Sequence, residues 1–214
     1  DTVKDFTALG LVVDIPTSVV VHPSLPAKNV KEFIALAKAK PGQIFYSSSG
    51  PGTVGHLAGE LLNAQAGIKL VHVPYKGIAP AVIDLIAGHV QLSFPSIPVV
   101  IENVRSGKLR MIGQCGETRS PSVPNVPTML ESGLAGFVVS SGFSFIGPAG
   151  MPSAIVEKLN GALVKALQDP AIRKALIDRG ADPVGNTPEQ HAAYIKSEIE
   201  KWQKVARHAG ISPE

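Results

Sequence analysis

The sequence lacks several features that mark common functional classes. Cys115 is its single cysteine, which excludes a disulfide within the chain and a cysteine-based metal cluster. Lysine and arginine total 20 against 17 acidic residues and form no basic stripe, so nucleic-acid binding is not expected. No apolar run approaches the about 20 residues that cross a bilayer. The sequence starts at Asp1 without a methionine or a signal peptide, and we therefore expect a processed or trimmed chain.

The sequence does contain enough apolar material for a folded core. Of its 214 residues, 44% are hydrophobic and 17% are charged, a balance that indicates one large domain or two small ones rather than disorder. Predicted strands and helices alternate from Val19 to Cys115, which is typical of an α/β layered domain. From Ser153 onward the periodicity predicts helices only.

The most informative stretch is Tyr46–Leu62, with the sequence YSSSGPGTVGHLAGELL. A predicted strand over Gln43–Tyr46 leads into a loop of small residues, and apolar residues at helical spacing follow Thr53, the expected N-cap. A strand, a loop and a helix start together present free N–H groups, hydroxyls and the positive end of a helix dipole. We therefore expect an anion site at Ser47, Ser48, Ser49, Gly50, Gly52 and Thr53.

A second loop, Tyr75-Lys76-Gly77, follows a predicted strand over Leu70–Pro74. We expect both loops at the same edge of a parallel sheet, because ligands of such α/β sheets bind outside the carboxyl ends of the strands. Lys76 either adds positive charge to that site or is a solvent-facing loop residue.

Other kinds of site have weaker support. Gly50-x-Gly52-x-x-Gly55 satisfies the dinucleotide fingerprint, but the region Val71–Gly77 lacks the acidic residue that would bind a ribose. The serine run is not a nucleophile elbow, although His56 is near in sequence, and the six histidines lack metal-ligand spacing. Two alternatives to non-catalytic anion binding stay open: a dinucleotide-dependent enzyme using the glycine loop, and a loop that only makes a tight turn.

Four motifs in order resemble those of a known family. They are KAKPGQIFYSSSGPGTVGHLAGELL, VPYKGIAPAVIDLIAGHVQLSF, GKLRMIGQCGETRSPSVPNVPTMLESGL and GPAGMPSAIVEKLN. Together they resemble the Bug family, the extracytoplasmic solute-binding proteins of tripartite tricarboxylate transporters. The resemblance covers essentially the whole chain. Its specificity lies in the order and spacing of the motifs, each of which is weak alone.

The resemblance implies an α/β fold of the periplasmic binding protein type II kind, with two α/β domains around a cleft. Crossings between the domains are implied near Val19–Pro23 and Ser141–Pro148. Residues 19–146 would then form the second domain with its hinge crossings, and residues 1–18 and 147–214 a remnant of the first. Members begin with a further segment that carries a signal peptide and the other jaw of the site. We therefore expect a periplasmic protein and an N-terminally incomplete chain.

For the site, the resemblance implies a non-catalytic receptor for a small carboxylate or dicarboxylate, without a cofactor or metal. The loop at Ser47–Thr53 would hold the carboxylate, partly through ordered water. Tyr75-Lys76-Gly77 would form an adjoining wall, and Pro95-Ser96 a third edge. The implied partners are membrane subunits of the transporter. A third alternative concerns this chain alone: with half of its cleft missing it binds no ligand tightly, and an exposed sheet edge favours association with a second copy.

Two positions depart from the family's pattern. Many relatives have an acidic residue where this chain has Pro95, so a ligand with an ammonium group is not favoured. Relatives also commonly have a tryptophan at the position of Gly142. We expect its absence to enlarge the cleft or to loosen the hinge.

Overall fold

The computed structural model describes residues 3–211, which divide into two compact units. Unit 1 comprises residues 3–15 and 142–204, and unit 2 comprises residues 16–141 and 205–211. Among the described helices, none is both long and apolar enough to cross a membrane. In chain order the elements are β1 (Phe6–Pro16), β2 (Ser18–Val21), α1 (Val30–Ala39), β3 (Phe45–Ser48), α2 (Val54–Ala66), β4 (Val71–Pro74), α3 (Ile78–Ala87), β5 (Leu92–Ser93), α4 (Ile97–Arg105), β6 (Arg110–Gln114), β7 (Ser140–Pro148), α5 (Ser153–Gln168), α6 (Pro170–Ile177), β8 (Asp182–Pro183) and α7 (Pro188–His208).

Unit 2 contains a five-stranded sheet in the order β4-β3-β5-β2-β6. β3 pairs in parallel with β4 and β5, whereas β2 pairs antiparallel with β5 and β6. The sheet is therefore mixed, and the prediction of a parallel sheet is wrong for β2. All four residues of β2 are buried. A fully buried strand has the same apolar pattern in either direction, so its sequence does not reveal which way it runs.

Two element boundaries affect the site, and the first of them differs from the prediction. β3 covers Phe45–Ser48 rather than Gln43–Tyr46, so Ser47 and Ser48 belong to the strand and not to the loop. Serine is tolerated in this buried strand because the two hydroxyls donate to carbonyl groups of the protein. α3 begins at Ile78, two residues before Pro80, because Gly77 at φ 114° lets the chain turn directly into the helix.

The helices of unit 2 begin and end at residues with local physical reasons. The Asn29 side chain accepts a hydrogen bond from the N–H of Glu32 at 2.9 Å and so caps α1. α2 ends at Gly67, which adopts the left-handed conformation at φ 60°. Large side chains from both layers, including Tyr46, Phe33 and Leu62, are fully buried. The resulting core fixes the ends of β3, β4 and β5 relative to the helices that follow them.

Unit 1 contains a three-stranded sheet in the order β7-β1-β8, with α5, α6 and residues 188–204 of α7. Its buried apolar side chains include Leu9, Leu11 and Leu167. The apolar side of α5 is partly exposed, with Ile155 at 47% and Leu159 at 45%, whereas Leu167 at its end is buried. An amphipathic helix normally packs its apolar stripe against another layer, so this unit presents apolar surface that its own described residues do not cover.

Candidate functional site

The predicted loops lie side by side at the carboxyl ends of β3 and β4. The N–H of Tyr75 donates to the carbonyl of Ser48 at 3.0 Å, and the N–H of Gly77 donates to the carbonyl of Ser49 at 3.2 Å. The parallel pairing of β3 with β4 therefore continues into both loops. Pro95 follows β5, which is also parallel to β3, and so lies at the same edge of the sheet.

A cavity of about 280 Å³ opens at this edge, within unit 2. Predicted site residues that line it are Ser47, Ser48, Ser49, Thr53, Pro95 and Ser96. The remaining lining residues were not predicted from the sequence: Thr17, Val54, Gly55, Ile78, Ser93, Phe94, Val99 and Ser141. Several of these residues lie in the first turn of a helix that follows a strand. The alternation of strands and helices in the sequence could therefore have identified them. The lining has no charged side chain, so backbone and hydroxyl dipoles would have to recognise a charged ligand.

Three helices begin at the cavity, and none has a side-chain cap. The residues before α2, α3 and α4 are Thr53, Gly77 and Ser96, and none accepts a hydrogen bond from its helix through a side chain. The first amides of an α-helix have no carbonyl one turn earlier to bond with. The amides of Val54 and Gly55, which line the cavity, are therefore available to a ligand. Together with the helix dipoles, they make the cavity attractive to an anion.

The hydroxyls around the cavity fall into two groups. The Ser47 hydroxyl donates to Ala81 O at 3.4 Å, and the Ser93 hydroxyl donates to Ser47 O at 3.1 Å. Thr53 Oγ1 donates to Gly50 O at 2.7 Å, a bond that draws it away from the N-terminal amides of α2. Within the described part of the chain, three lining hydroxyls have no protein partner and are available to a ligand: Ser49, Ser96 and Ser141.

Five predicted site residues do not line the cavity: Gly50, Gly52, Tyr75, Lys76 and Gly77. The positive φ angles of Gly50, 134°, and Gly52, 71°, form the turn that leads into α2. The Tyr75 hydroxyl donates to Asp84 Oδ2 at 2.7 Å, and its side chain is therefore occupied within the protein. Burial, reinforced by Asp84, raises the pKa of Tyr75 to about 12. Lys76 is exposed.

A polar cluster lies behind the cavity, formed by Tyr46, Ser48, His56, Glu60 and His72. Burial lowers the pKa of His56, although the Glu60 carboxylate opposes that shift. The pKa of His72 is lowered to about 4, first by burial and then by the charge of His56. The Tyr46 hydroxyl donates to Glu60 at 2.7 Å, and its pKa is raised by burial and by that hydrogen bond. Both histidines are therefore neutral near neutral pH.

A second depression, of about 600 Å³, lies within unit 1 and contains none of the predicted site residues. A polar side chain in its lining is occupied by the protein, because Asn160 Nδ2 donates to the carbonyls of Leu9 at 2.7 Å and Asn186 at 2.9 Å. In the part of the chain that the structure describes, no group of three or more side chains is arranged to hold a metal ion. The smaller cavity of unit 2 is therefore the better candidate.

Gly142 lies at a tight position in unit 1. A Cβ atom there would lie 2.9 Å from Leu11 Cδ1 and 3.1 Å from Tyr194 Oη. The space beside Gly142 is thus already filled by these two side chains. A tryptophan at this position would require both of them to move.

Curated relatives share between a quarter and two fifths of the sequence. BugT of Bordetella pertussis is 36% identical over 207 residues, which are 97% of this chain and 64% of BugT. A protein from the tcbD-tcbE intergenic region of Pseudomonas sp. is 36% identical over 203 residues, 94% of this chain and 60% of that protein. The chain therefore spans a little less than two thirds of the length of these relatives.

Solved structures with similar folds include proteins with bound dicarboxylates and a periplasmic binding protein. Rpa4515 of R. palustris, solved with adipate, has a TM-score of 0.86 and 33% identity, covering 100% of this chain and 72% of that one. MatC of Rhodopseudomonas palustris, solved with bound malate, has a TM-score of 0.78 and 31% identity over 95% and 70% of the two chains. The periplasmic binding protein BugD has a TM-score of 0.80 and 32% identity over 98% and 71%. These similarities confirm the predicted fold class and the resemblance to the Bug family. Residues 1–211 match the family described as "Tripartite tricarboxylate transporter family receptor", and the chain belongs to that family.

Proposed function

We propose that this chain is the ligand-binding part of an extracytoplasmic receptor that captures a small organic carboxylate or dicarboxylate without catalysing a reaction. The observation that carries this proposal is the meeting of three helix starts without side-chain caps at a cavity that has no charged lining residue. Amide donors and helix dipoles at such a position favour an anion over a neutral or cationic ligand.

The ligands of two similar proteins support this choice of substrate class. Rpa4515 was solved with adipate and MatC with malate, and both molecules are dicarboxylates. A cavity of about 280 Å³ suits ligands of this size, because cavities for drug-sized molecules start at about 300 Å³. Ile78 and Val99 offer apolar contact to a short carbon chain between two carboxylates. Pro95 supplies no charge to pair with an ammonium group.

In the proposed complex, one carboxylate is bound by the amides of Val54 and Gly55 and by the free hydroxyl of Ser49. The Ser96 hydroxyl approaches from the start of α4. Each hydrogen bond to a charged group contributes about 1.5–3 kcal/mol, so two or three such contacts would support micromolar affinity. The other predicted site residues act indirectly: Ser47, Ser48 and Thr53 line the floor, Gly50 and Gly52 form the turn into α2, and Tyr75, Lys76 and Gly77 form the loop that is hydrogen-bonded to it.

The wider setting belongs to the same proposal. We place the protein in the periplasm, with the membrane subunits of a tripartite tricarboxylate-type transporter as its partners. The family match and the periplasmic origin of the similar structures support that setting. We also propose that residues 19–146 are the second domain of the receptor, and that residues 1–18 and 147–214 are the remnant of its first domain. The apolar surface of unit 1 supports this division, because a remnant would lack part of its core.

Isothermal titration calorimetry of the 214-residue chain with adipate, malate and adipamide tests the proposal. Adipamide has the carbon chain of adipate but no charge, so it is the matched control for recognition of the carboxylates. We expect adipate or malate to bind saturably, with a dissociation constant between micromolar and millimolar, and adipamide not to bind. Equal binding of adipate and adipamide would contradict carboxylate recognition. Saturable binding of NAD in the same assay, without carboxylate binding, would instead support a dinucleotide-dependent enzyme that uses Gly50, Gly52 and Gly55.

A further inference from the structure

Two histidines from different elements stack on one another directly behind the cavity. The rings of His56, on α2, and His72, on β4, have centroids 3.9 Å apart and an angle of 10° between their planes. The ring of Tyr46, on β3, also stacks on His72, with 5.0 Å between the ring centroids. Recognition of a carboxylate by amides and hydroxyls, as proposed above, does not require a stacked pair of imidazoles. The pair therefore calls for a separate explanation.

The two histidines are hydrogen-bonded, directly or through Ser48, to the two glycines of the turn that leads into α2. His56 Nδ1 accepts a hydrogen bond from the N–H of Gly52 at 3.0 Å. His72 Nε2 lies 2.7 Å from the hydroxyl oxygen of Ser48, and the same oxygen accepts from the N–H of Gly50 at 3.1 Å. Each histidine thus fixes one glycine of the turn, His56 directly and His72 through Ser48. The conformation of this turn determines the direction of the first amides of α2.

The hydrogen bond to Gly52 requires an unprotonated Nδ1 on His56. A backbone N–H can only donate, so His56 can accept from Gly52 only through the lone pair of Nδ1, and its proton in the neutral form lies on Nε2. A proton on Nδ1 would place two donors against each other. The bond between His72 and Ser48 is less restrictive, because a serine hydroxyl both donates and accepts. Protonation of both rings would also place two positive charges in contact.

The charged and titratable groups that face the pair are few. α2 contributes Glu60, whose carboxylate favours the protonated form of both histidines. β3 contributes Tyr46, which donates to Glu60 at 2.7 Å and is neutral. β4 contributes His72 itself, and Phe94, which follows β5, packs its edge against Tyr46. Burial outweighs the attraction of Glu60, so the resting state of the pair is neutral.

We propose that His56 and His72 are positioning residues for the carboxylate site, and that protonation of His56 releases Gly52 and weakens ligand binding. The receptor would therefore capture its ligand well at neutral pH and poorly in an acidic compartment or medium. This inference rests on the proposed carboxylate function for the ligand, but its structural part, the coupling of His56 to Gly52, does not.

An NMR titration of the ligand-free 214-residue chain tests the coupling without a ligand. We expect the Gly52 amide resonance to move as the pH falls from 7.5 to 4, with the same midpoint as the His56 ring signals. In a His56→Asn variant, the amide oxygen replaces Nδ1 as an acceptor that does not titrate, so the Gly52 resonance should stay fixed. A Gly52 resonance that ignores the protonation of His56 would overturn the inference.

Adipate binding, measured by calorimetry at pH 7.5 and pH 5, tests the consequence for function. We expect the original chain to lose more affinity than His56→Asn as the pH falls, by up to about tenfold once His56 is protonated, since one hydrogen bond that orders the site is lost. The protonation of adipate itself affects both proteins equally. His22→Asn, at the opposite edge of the sheet, should behave like the original chain. Parallel losses in all three proteins would overturn the inference. Absence of adipate binding at both pH values would count against the proposed function, and the Gly52 titration would then decide the inference alone.

Discussion

Gly59 shows how closely a single residue of α2 fits the strand beneath it. A Cβ atom on Gly59 would overlap the ring of Tyr46, which is fully buried. Replacing glycine by alanine within a helix is normally favourable by up to about 1 kcal/mol. At this position the Tyr46 ring would have to move away from Glu60 and His72, its partners in the polar cluster. Packing therefore opposes helix propensity at Gly59.

We predict that Gly59→Ala destabilises the protein by about 1–3 kcal/mol, the usual cost of overpacking a core. Gly161→Ala is the matched control, because Gly161 also lies inside a helix and a Cβ there would meet no described atom within 4 Å. It should be neutral or slightly stabilising. Urea denaturation followed by circular dichroism measures both changes in the free energy of unfolding. Equal changes in the free energy of unfolding for the two substitutions would show that the contact with Tyr46 does not cause the destabilisation.

His72 connects the stability of the protein to pH. Burial, and then the charge of His56, lowers its pKa from 6.5 to about 4 on folding. The unfolded chain therefore binds more protons than the folded one as the pH falls. Stability is complete above about pH 6.5 and is lost progressively as the pH falls from 6.5 towards 4. His56 contributes in the same direction, because its pKa is also lowered.

We predict that the free energy of unfolding decreases between pH 6.5 and pH 5, a range in which few carboxylates titrate. Urea denaturation at several pH values measures the decrease. A His72→Asn variant should show a smaller slope over this range, because it lacks the titrating ring. His22→Asn removes a histidine whose Nδ1 lies beside the exposed Ser24 hydroxyl, and it serves as the control. An unchanged slope in His72→Asn would mean that other groups cause the acid sensitivity.

At the scale of elements, the sequence predicted most helices but not the details that define the cavity. Asn29 and Gly67 are strong local signals of a helix start and a helix end, and α1 begins after Asn29 and α2 ends before Gly67. The extension of β3 through Ser48 was not predictable, because it depends on pairing with β4 and on the Ala81 carbonyl of α3, which accepts the Ser47 hydroxyl. The antiparallel direction of β2 could not be predicted either. Tertiary partners, rather than local propensity, decide both features.

The start of α2 offers a test of the proposed carboxylate contact at the level of one element. Val54 is the first residue of the helix, where proline is tolerated because its missing N–H has no partner in the helix. Thr53 has φ −72° and ψ 160°, a conformation that suits the residue before a proline. Val54→Pro therefore removes one amide donor and leaves the helix intact.

We predict that Val54→Pro weakens adipate binding about tenfold or more, the effect of losing one hydrogen bond to a charged group. Val54→Ala is the matched control, since it shortens the same side chain and keeps the amide. Calorimetry with both variants, and thermal melts to check folding, separate the amide from the side chain. Equal affinities of the two variants would exclude the Val54 amide as a carboxylate ligand.

At the scale of the whole molecule, the two units differ in how well they bury their apolar residues. The sequence predicted two α/β parts, but it did not reveal how much of unit 1 would be exposed. Apolar periodicity in α5 identifies the side of the helix that needs a partner, not whether this chain supplies one. β7 lies at the edge of its sheet and carries Phe143, 59% exposed, and Phe145, 58% exposed. Residues two apart in a strand share a face, so the two rings form one apolar patch.

We predict that this chain self-associates through the edge of β7, because an exposed edge strand with apolar side chains is a template for pairing with another chain. Light scattering over a wide range of concentrations should show species larger than a monomer. Replacing Phe143 and Phe145 by serine should shift the equilibrium towards monomer. Ile83→Ser is the control, because Ile83 is 65% exposed but lies on α3 in unit 2. A monodisperse monomer at all concentrations would contradict self-association. An equal shift towards monomer with Ile83→Ser would show that the association does not depend specifically on β7.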